Sequence, residues 1–172
     1  GPGRLLVSAD YSQVELRVLA HIAQDPALLE AFRNGEDIHA RTAALVYDLP
    51  PDQVSPDQRR NAKTINFGLI YGMGAQKLAQ ELKISTTQAK DFIARYFERL
   101  QGLKEFYEGV EASARKHGFV TTLGGRRRLL PDINSASGQA AALARRQAIN
   151  TVIQGSAADI IKLAMLAVAR DE

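Results

Sequence analysis

Cysteine is absent from this sequence. The chain therefore forms no disulfide, no thiolate metal site and no cysteine nucleophile, which fits a cytoplasmic protein. No N-terminal signal pattern is present, and no apolar run approaches the roughly 20 residues that a membrane span needs. These absences predict a chain without disulfides and without a membrane segment.

The net charge is also small, since 22 basic and 19 acidic residues leave a formal charge of +3. Of the 172 residues, 45% are hydrophobic and 24% are charged, which is typical of a soluble globular chain of one domain or two small ones. This composition excludes a disordered or fibrous protein.

Basic and acidic residues are segregated along the chain. Residues 112–158 hold seven basic residues and one acid, Asp132. Residues 58–80 hold no acid and four basic residues, which are Arg59, Arg60, Lys63 and Lys77. Such segregation indicates a polyanionic partner, either a nucleic acid or a nucleoside triphosphate. The alternative is an ordinary solvated face of a globular domain.

Hydrophobic spacing and capping residues predict a mostly α-helical chain with a small β component, an α+β fold. Residues 5–10 have the pattern of a short buried strand that ends at Asp10. Residues 119–130 are expected to form a hairpin. Helices are expected over residues 14–22, 55–71, 102–117, 137–153 and 156–170, and after the cap residues Asp25, Asp37 and Ser85. The last two helices are expected to be separated at Gln154-Gly155.

The helix over residues 55–71 carries a row of four polar and aromatic side chains. The row has one member every four residues, so it winds slowly along about 18 Å of the helix. Its members are Arg59, Lys63, Phe67 and Tyr71. Two cations at one end and two rings at the other match the phosphates and the sugar and base of a nucleoside triphosphate. The alternative is that both rings belong to the core and both cations are solvated.

A carboxylate at the end of the expected strand, Asp10, is placed to hold a divalent metal, because a strand fixes the backbone of its ligand. Glu15 lies five residues on, in the first turns of the next helix, where an acid complements the helix dipole. The alternative for a single aspartate in this position is a cap or turn residue.

These two segments resemble the motifs of one protein family. Residues 10–17 (Asp-Tyr-Ser-Gln-Val-Glu-Leu-Arg) are similar to the first polymerase motif of the bacterial DNA polymerase I family, family A. Residues 59–72 (Arg-Arg-Asn-Ala-Lys-Thr-Ile-Asn-Phe-Gly-Leu-Ile-Tyr-Gly) resemble its second motif, the nucleotide-binding helix of the fingers. The similarity continues at residues 37–39, 96–97, 122–128, 150 and 154–159, so it covers essentially the whole chain from residue 5.

The resemblance implies a DNA-directed DNA polymerase that adds dNTP to a primer 3′ end by two-metal phosphoryl transfer. Asp10 and the backbone carbonyl of Tyr11 would bind metal, with two Mg²⁺ ions in the whole enzyme. Arg59, Lys63 and His39 would contact the triphosphate of the dNTP, and Lys63 would also donate a proton to the leaving pyrophosphate. The implied catalytic residues are thus Asp10 and Lys63.

The resemblance also implies roles at the nucleoside and at the DNA. Gln13 and Glu15 would lie at the dNTP, with Glu15 as the steric gate where a ribose 2′-hydroxyl would go. Phe67 would pack beside the sugar, and Tyr71 would move at the template-base site. The implied DNA contacts are Tyr71, Arg146, Asn150 and Gln154. For the last three the alternative is a polar helix face.

The family's organisation would divide the chain into a palm strand (1–12), the fingers (13–131) and palm helices (132–172). Its third motif, a His-Asp-Glu that supplies the second metal-binding carboxylate, is not found, and Asp171-Glu172 is interpreted as a helix end. The thumb and any exonuclease domain are missing as well. Gly1-Pro2 is interpreted as a cloning remnant, with a native Pro2-Gly3-Arg4 as the equal alternative. We therefore expect a fragment that binds dNTP and primer-template, holds Mg²⁺ at most weakly and does not polymerise alone.

Other interpretations stay open at this point. A single-subunit RNA polymerase shares the fold, although Glu15 and Phe67 argue against it. A non-catalytic nucleic-acid-binding or nucleotide-binding module is a second alternative, and a plain helical domain would leave both motifs unexplained. The expected location is the bacterial cytoplasm, at the nucleoid, with a role in replication or repair. An unpaired strand edge at residues 5–9 would allow the fragment to dimerise.

Overall fold

The computed structural model describes Gly3 and residues 5–170. The expectations for Gly1-Pro2 and for Asp171-Glu172 lie outside the described residues. This part of the chain is mostly helical with one small hairpin, which confirms the expected fold class. Its α-helices are α1 (Val14–Ala23), α2 (Pro26–Arg33), α3 (Ile38–Tyr47), α4 (Pro56–Ile70), α5 (Ala75–Leu82), α6 (Thr86–Arg99), α7 (Gln101–His117), α8 (Gly138–Asn150) and α9 (Ser156–Arg170).

Side-chain caps begin the helices where the sequence predicts them. Ser55 and Ser85 each form a capping box with the glutamine three residues later, at the start of α4 and of α6. Asp25 and Asp37 accept hydrogen bonds from the first backbone amides of α2 and α3. These caps satisfy amides that have no partner within a helix, so local sequence is enough to place the helix starts.

One large hydrophobic cluster joins α1 to α7. Fully buried side chains from five of these helices meet in it, namely Leu19, Ile38, Ile65, Leu78 and Leu103. A smaller cluster packs the C-terminal half of α7 against the hairpin and α8, through Ala114, Val120, Leu130 and Ala148. The fold is therefore a helical layer around α4, continued by a second layer that carries the hairpin.

The hairpin consists of β1 (Phe119–Thr121) and β2 (Arg127–Leu129). The strands are antiparallel, and their register pairs Phe119 with Leu129 and Thr121 with Arg127. Gly125 adopts φ 81° in the connecting turn, a left-handed conformation that glycine accepts without strain. The expected hairpin is confirmed, and it points the arginine-rich strand outward.

The expected break at Gln154-Gly155 is wrong. A π-helical turn, Thr151–Gly155, connects α8 to α9, so that residues 138–170 form one continuous helix. The wider turn accommodates Gly155, whose backbone approaches the Thr122 side chain so closely that a Cβ would lie 2.6 Å from its Cγ2. Glycine serves close packing here, and it does not end the helix.

This 33-residue helix also changes the expectation about membrane segments. It is long and apolar enough to cross a membrane, with a mean hydropathy of 1.6 over its 18-residue window and 22% of that window buried. The expectation that no segment reaches such a length fails because the π turn joins two helices. Asp159 and Lys162 interrupt its apolar surface, and core helices of soluble proteins meet the same test of length and composition.

Two further sequence expectations need correction. Residues 5–10 form no strand and are exposed, with Leu5 92% and Val7 88% accessible. A strand needs a hydrogen-bonding neighbour, and within the described residues none pairs with this segment, so the expected strand edge for dimerisation is missing too. Helix α5 was not expected, because it follows the Gly72-Met73-Gly74 loop and begins at Gly74 without a side-chain cap. Burial of Leu78 and Ala79 in the large cluster stabilises it instead.

Candidate functional site

The outer face of α4 presents the four side chains that the sequence placed in a row. Arg59 and Lys63 are exposed, Phe67 is half-buried and Tyr71 is 37% exposed. The opposite face is buried against α3 and α5, through Ala62, Ile65, Asn66, Leu69 and Ile70. Neither ring is sealed inside the core, so the row remains accessible from solvent along its whole length.

Arg59 is held by an aspartate from the start of α3. Its Nε lies 2.6 Å from Oδ2 of Asp37, and both side chains are near half exposure. The other carboxylate oxygen of Asp37 accepts from the backbone amides of His39 and Ala40, at 2.9 and 3.1 Å. These interactions hold the pKa of Asp37 below its ordinary value, against the opposing effect of burial.

His39 lies buried beside the row, with its ring centroid 5.6 Å from that of Phe67. Nδ2 of Asn66 lies 3.1 Å from His39 Nδ1 and also donates to the hydroxyl of Thr42 at 3.1 Å. An amide donor at Nδ1 leaves the ring proton on Nε2. Burial lowers the pKa of His39, and the cations Arg59 and Lys63 lower it further against the attraction of Asp37. The imidazole is therefore neutral at pH 7 and has one N–H to donate.

Glu15, Tyr71 and Gln154 meet at the other end of the row. The Tyr71 hydroxyl donates to Oε2 of Glu15 at 2.7 Å, and the side chain of Gln154 lies close enough to this hydroxyl to lower its pKa slightly. Burial is the main cause that raises the pKa of Tyr71, and the Glu15 carboxylate adds to it. The start of α1 and the end of α4 are thus joined at one hydroxyl, and the π turn lies beside it.

The loop after α4 packs directly on α8. Gly72 adopts φ 69°, and a Cβ at this position would lie 2.6 Å from Cγ of Arg146. The stem of Arg146 therefore lies across the backbone of Gly72, which fixes the arginine beside the end of the row. Only glycine fits both the backbone conformation and the space.

Asn150 and Gln154 face a cavity between the helix and the arginine-rich hairpin. The cavity measures about 340 Å³ and is lined by Thr122, Arg126, Arg127, Arg128, Asn150, Thr151, Gln154 and Gly155. Arg126 is paired with Asp159 at 2.8 Å, whereas within the described chain Arg127 and Arg128 form no ion pair. Asn150 Oδ1 is buried and has no hydrogen-bond partner among those residues. This arrangement provides a positively charged, polar pocket.

Asp10 and Tyr11 lie in the irregular N-terminal segment that precedes α1. Both are exposed, and with Ala9 they border an apolar cavity of about 590 Å³ against the last turns of α9. Among the residues that the structure describes, no three His, Asp or Glu side chains come close enough to hold a metal. One exposed carboxylate and one carbonyl do not make a Mg²⁺ site. Gln13 is also exposed and precedes α1 with φ 54°.

The sequence-family model described as DNA polymerase family A matches residues 1–171 of the chain. The chain belongs to this family. The resemblance inferred from the two polymerase motifs is thereby confirmed.

Curated relatives of this family A chain are DNA polymerase I proteins. That of Treponema pallidum (strain Nichols) is 53% identical over 168 residues, which cover 98% of this chain and 17% of the relative. That of Bacillus caldotenax is 52% identical over 162 residues, which cover 94% of this chain and 18% of the relative. The family A chain thus spans less than a fifth of the length of these two proteins.

A solved structure is similar over nearly the same span. It is the POL domain of Pol1 from M. smegmatis in complex with DNA primer-template and dNTP. The similarity has a TM-score of 0.89 at 46% identity and covers 94% of this chain and 29% of that one. The helical arrangement described above is therefore that of a family A polymerase domain.

Helical periodicity predicted the row on α4, and the family resemblance predicted His39 at the same site; the structure places His39 beside Phe67 of that row. Sequence reasoning missed three partners that organise the site, which are Asn66, Asp37 as the counter-ion of Arg59, and Asp159. Asn66 lies on the buried face of α4, and a polar residue on an apolar face was the signal that could have found it. The roles of all these residues in binding and catalysis stay predictions.

Proposed function

We propose that this chain is the fingers and part of the palm of a DNA-directed DNA polymerase, and that it binds dNTP and primer-template. The longer protein would add dNTP to a primer 3′ end. The observation that carries this proposal is the accessible row on α4, cationic at one end and aromatic at the other, in a chain of family A. The proposed division is a palm segment at 1–12, the fingers at 13–131 and palm helices at 132–172.

The cationic end of the row would bind the triphosphate. Arg59 and Lys63 are one helical turn apart on the exposed face, so both can reach successive phosphate groups. His39, neutral and with its N–H on Nε2, adds a donor between α3 and α4. Neutral His39 binds phosphate as a hydrogen-bond donor, and its strength does not depend on protonation above pH 7. Lys63 is in addition the proposed proton donor to pyrophosphate.

The aromatic end of the row would bind the nucleoside. Phe67 is half-buried and braced by His39, so it offers a fixed surface for the sugar. Glu15 lies beside it through its hydrogen bond to Tyr71, where its carboxylate would exclude a ribose 2′-hydroxyl. Gln13 lies directly before α1, two residues before Glu15, and is the remaining proposed dNTP contact. Tyr71 would give up its hydrogen bonds when the helix moves onto a nascent base pair.

The face of α8 and the π turn would bind primer-template. Arg146, Asn150 and Gln154 lie at intervals of four and border the end of the row or the arginine pocket. The side chain of Gln154 also lies near the Tyr71 hydroxyl, so a DNA contact at Gln154 would be felt at the template-site tyrosine. Arg127 and Arg128 bring positive charge without a carboxylate partner in the described chain, which favours backbone phosphates.

Divalent metal is proposed only for the longer protein. Asp10 and the Tyr11 carbonyl would be two of several ligands of Mg²⁺ there, because within Gly3 and residues 5–170 no three His, Asp or Glu side chains come together to hold a metal. We therefore propose that the chain alone is inactive, and no step is assigned to a metal here. The named relatives are DNA polymerases, so an RNA polymerase is not favoured. From the same family membership we propose a cytoplasmic, nucleoid-associated role in replication or repair.

Binding of dNTP to the purified chain tests this proposal. Isothermal titration with dATP at low salt should give saturable binding that R59A/K63A abolishes. The matched control is R60A/K77A, which removes two neighbouring exposed cations outside the row and should bind like the wild type. Loss of binding in the control, or full binding by R59A/K63A, would contradict the proposed site. Primer extension by the wild type with Mg²⁺ and four dNTPs should be absent, and robust extension would contradict the proposed inactivity.

A further inference from the structure

Asp37 occupies the cationic end of the α4 row. Its Oδ2 contacts Nε of Arg59 at 2.6 Å, while within the described residues no hydrogen bond is formed by the two Nη groups of that guanidinium. The charges of Asp37, Arg59 and Lys63 all act on the imidazole of His39. An anionic carboxylate therefore lies among the three groups that would bind a triphosphate.

The structure keeps this carboxylate in place. Oδ1 of Asp37 accepts from His39 N and Ala40 N and caps α3, so the side chain cannot turn away without uncapping the helix. Arg59 is the partner that can turn away, because its side chain is long and, within the described residues, its guanidinium has no other hydrogen bond. Exposed ion pairs of this kind contribute little to stability and exchange partners easily.

We propose that Asp37 is a resident counter-anion of the cationic end, which holds Arg59 in the absence of nucleotide and competes with the triphosphate for it. The inference rests on the proposed function and adds a residue that sets affinity. A triphosphate must either displace Asp37 from Arg59 or share the guanidinium with it at the cost of repulsion between like charges. Asp37 thus weakens binding of phosphate anions and hastens their release.

The variant D37N isolates this effect. Asparagine caps helices as well as aspartate does, so D37N removes the negative charge and keeps α3 intact. The matched control is D48N, which removes an equal charge from the exposed Asp48–Arg99 pair at the other end of the same helix. Asp48 adopts φ 56°, a conformation that asparagine also accepts.

Isothermal titration with dATP and with inorganic triphosphate, at low salt and without divalent metal, tests the proposal. D37N should bind both ligands about three- to tenfold more tightly than the wild type, and D48N should change affinity less than about twofold. In an R59A background, D37N should lose most of its effect on affinity, since the guanidinium for which Asp37 and the triphosphate compete is absent.

The outcomes separate this proposal from the proposed function. If the wild type binds dATP, and D37N binds it with the affinity of the wild type or of D48N, the role of Asp37 is overturned and nucleotide binding stands. If only inorganic triphosphate binds, and binds D37N more tightly, the nucleotide site fails and the role of Asp37 stands. A full effect of D37N in the R59A background overturns competition for Arg59. Absence of binding of both ligands to every variant overturns both proposals.

Discussion

The hydroxyl of Tyr71 donates a hydrogen bond to Oε2 of Glu15 at 2.7 Å, across 56 positions of sequence. This bond ties the first turn of α1 to the residue that ends α4. Tyr71 remains 37% exposed, so water can replace either partner. The contact is therefore strong enough to hold the end of the row and weak enough to be broken by a ligand.

The first prediction concerns the strength of this bond. Y71F and E15A should each destabilise the chain, and their double-mutant cycle should give a coupling free energy of about 0.5–1.5 kcal/mol. Urea denaturation of the wild type, both single variants and the double variant measures it. The control cycle pairs Y71F with E81A, an exposed acid on α5, and should give none. Additive effects of Y71F and E15A would mean that the two side chains do not interact in solution.

The second prediction concerns the packing of Gly72 on Arg146. G72A should destabilise the chain by about 1–2 kcal/mol from its left-handed backbone alone, and the new Cβ should push Arg146 aside. We expect weaker binding of a labelled primer-template, with a smaller salt dependence, in fluorescence anisotropy. The matched control is G74A, because Gly74 has φ −82° and no atom within 4 Å of an added Cβ. DNA affinity that falls equally in G72A and G74A would contradict the packing argument.

The third prediction concerns Asp25, a buried carboxylate that joins two helices. Its Oδ1 accepts from Ala27 N and Leu28 N, and its Oδ2 accepts from Gly102 N at 3.1 Å. D25A leaves three buried amides without this acceptor and should lower the free energy of unfolding by about 3 kcal/mol.

D25N separates the two parts of that effect. It retains an acceptor for the α2 cap but faces Gly102 N with an amide, so it should cost about 1 kcal/mol. The control is S85A, an exposed cap of a single helix, which should also cost about 1 kcal/mol. If urea denaturation gives D25A a free energy of unfolding no lower than that of S85A, a role of Asp25 in joining α2 to α7 is contradicted.

The fourth prediction concerns acid stability. The hydroxyl of Thr122 and then Arg126 hold the pKa of Asp159 below its ordinary value. A depressed pKa adds stability above the ordinary value near 4, and this stability is lost as the pH falls through the lower folded-state value. Thermal melts between pH 5 and about 2 should therefore show a shallower decline for D159N than for the wild type. D91N, an exposed acid on α6, is the control and should keep the wild-type slope.

Local sequence was sufficient for the parts of this fold that depend on neighbouring residues. Ser55 and Ser85 mark the starts of their helices because a capping box is formed within four residues. The glycines after Leu123 predict the hairpin turn. The row from Arg59 to Tyr71 follows from helical periodicity alone. Local sequence does not show whether residues 5–10 have a strand partner, and the expected strand there is wrong. It also offers no side-chain cap for α5, and that helix was not predicted.

By itself the sequence determined the family, the helix starts and the face of α4 that carries the row, because motifs, caps and periodicity are encoded over a few residues. Only the tertiary structure decided that Asp37 pairs with Arg59, that Glu15 and Gln154 meet at Tyr71, and that Gly155 lies inside one long helix. These contacts join residues that are far apart in the chain, and their geometry depends on how whole helices pack. Packing is a property of all the buried surfaces together, so no single motif records it.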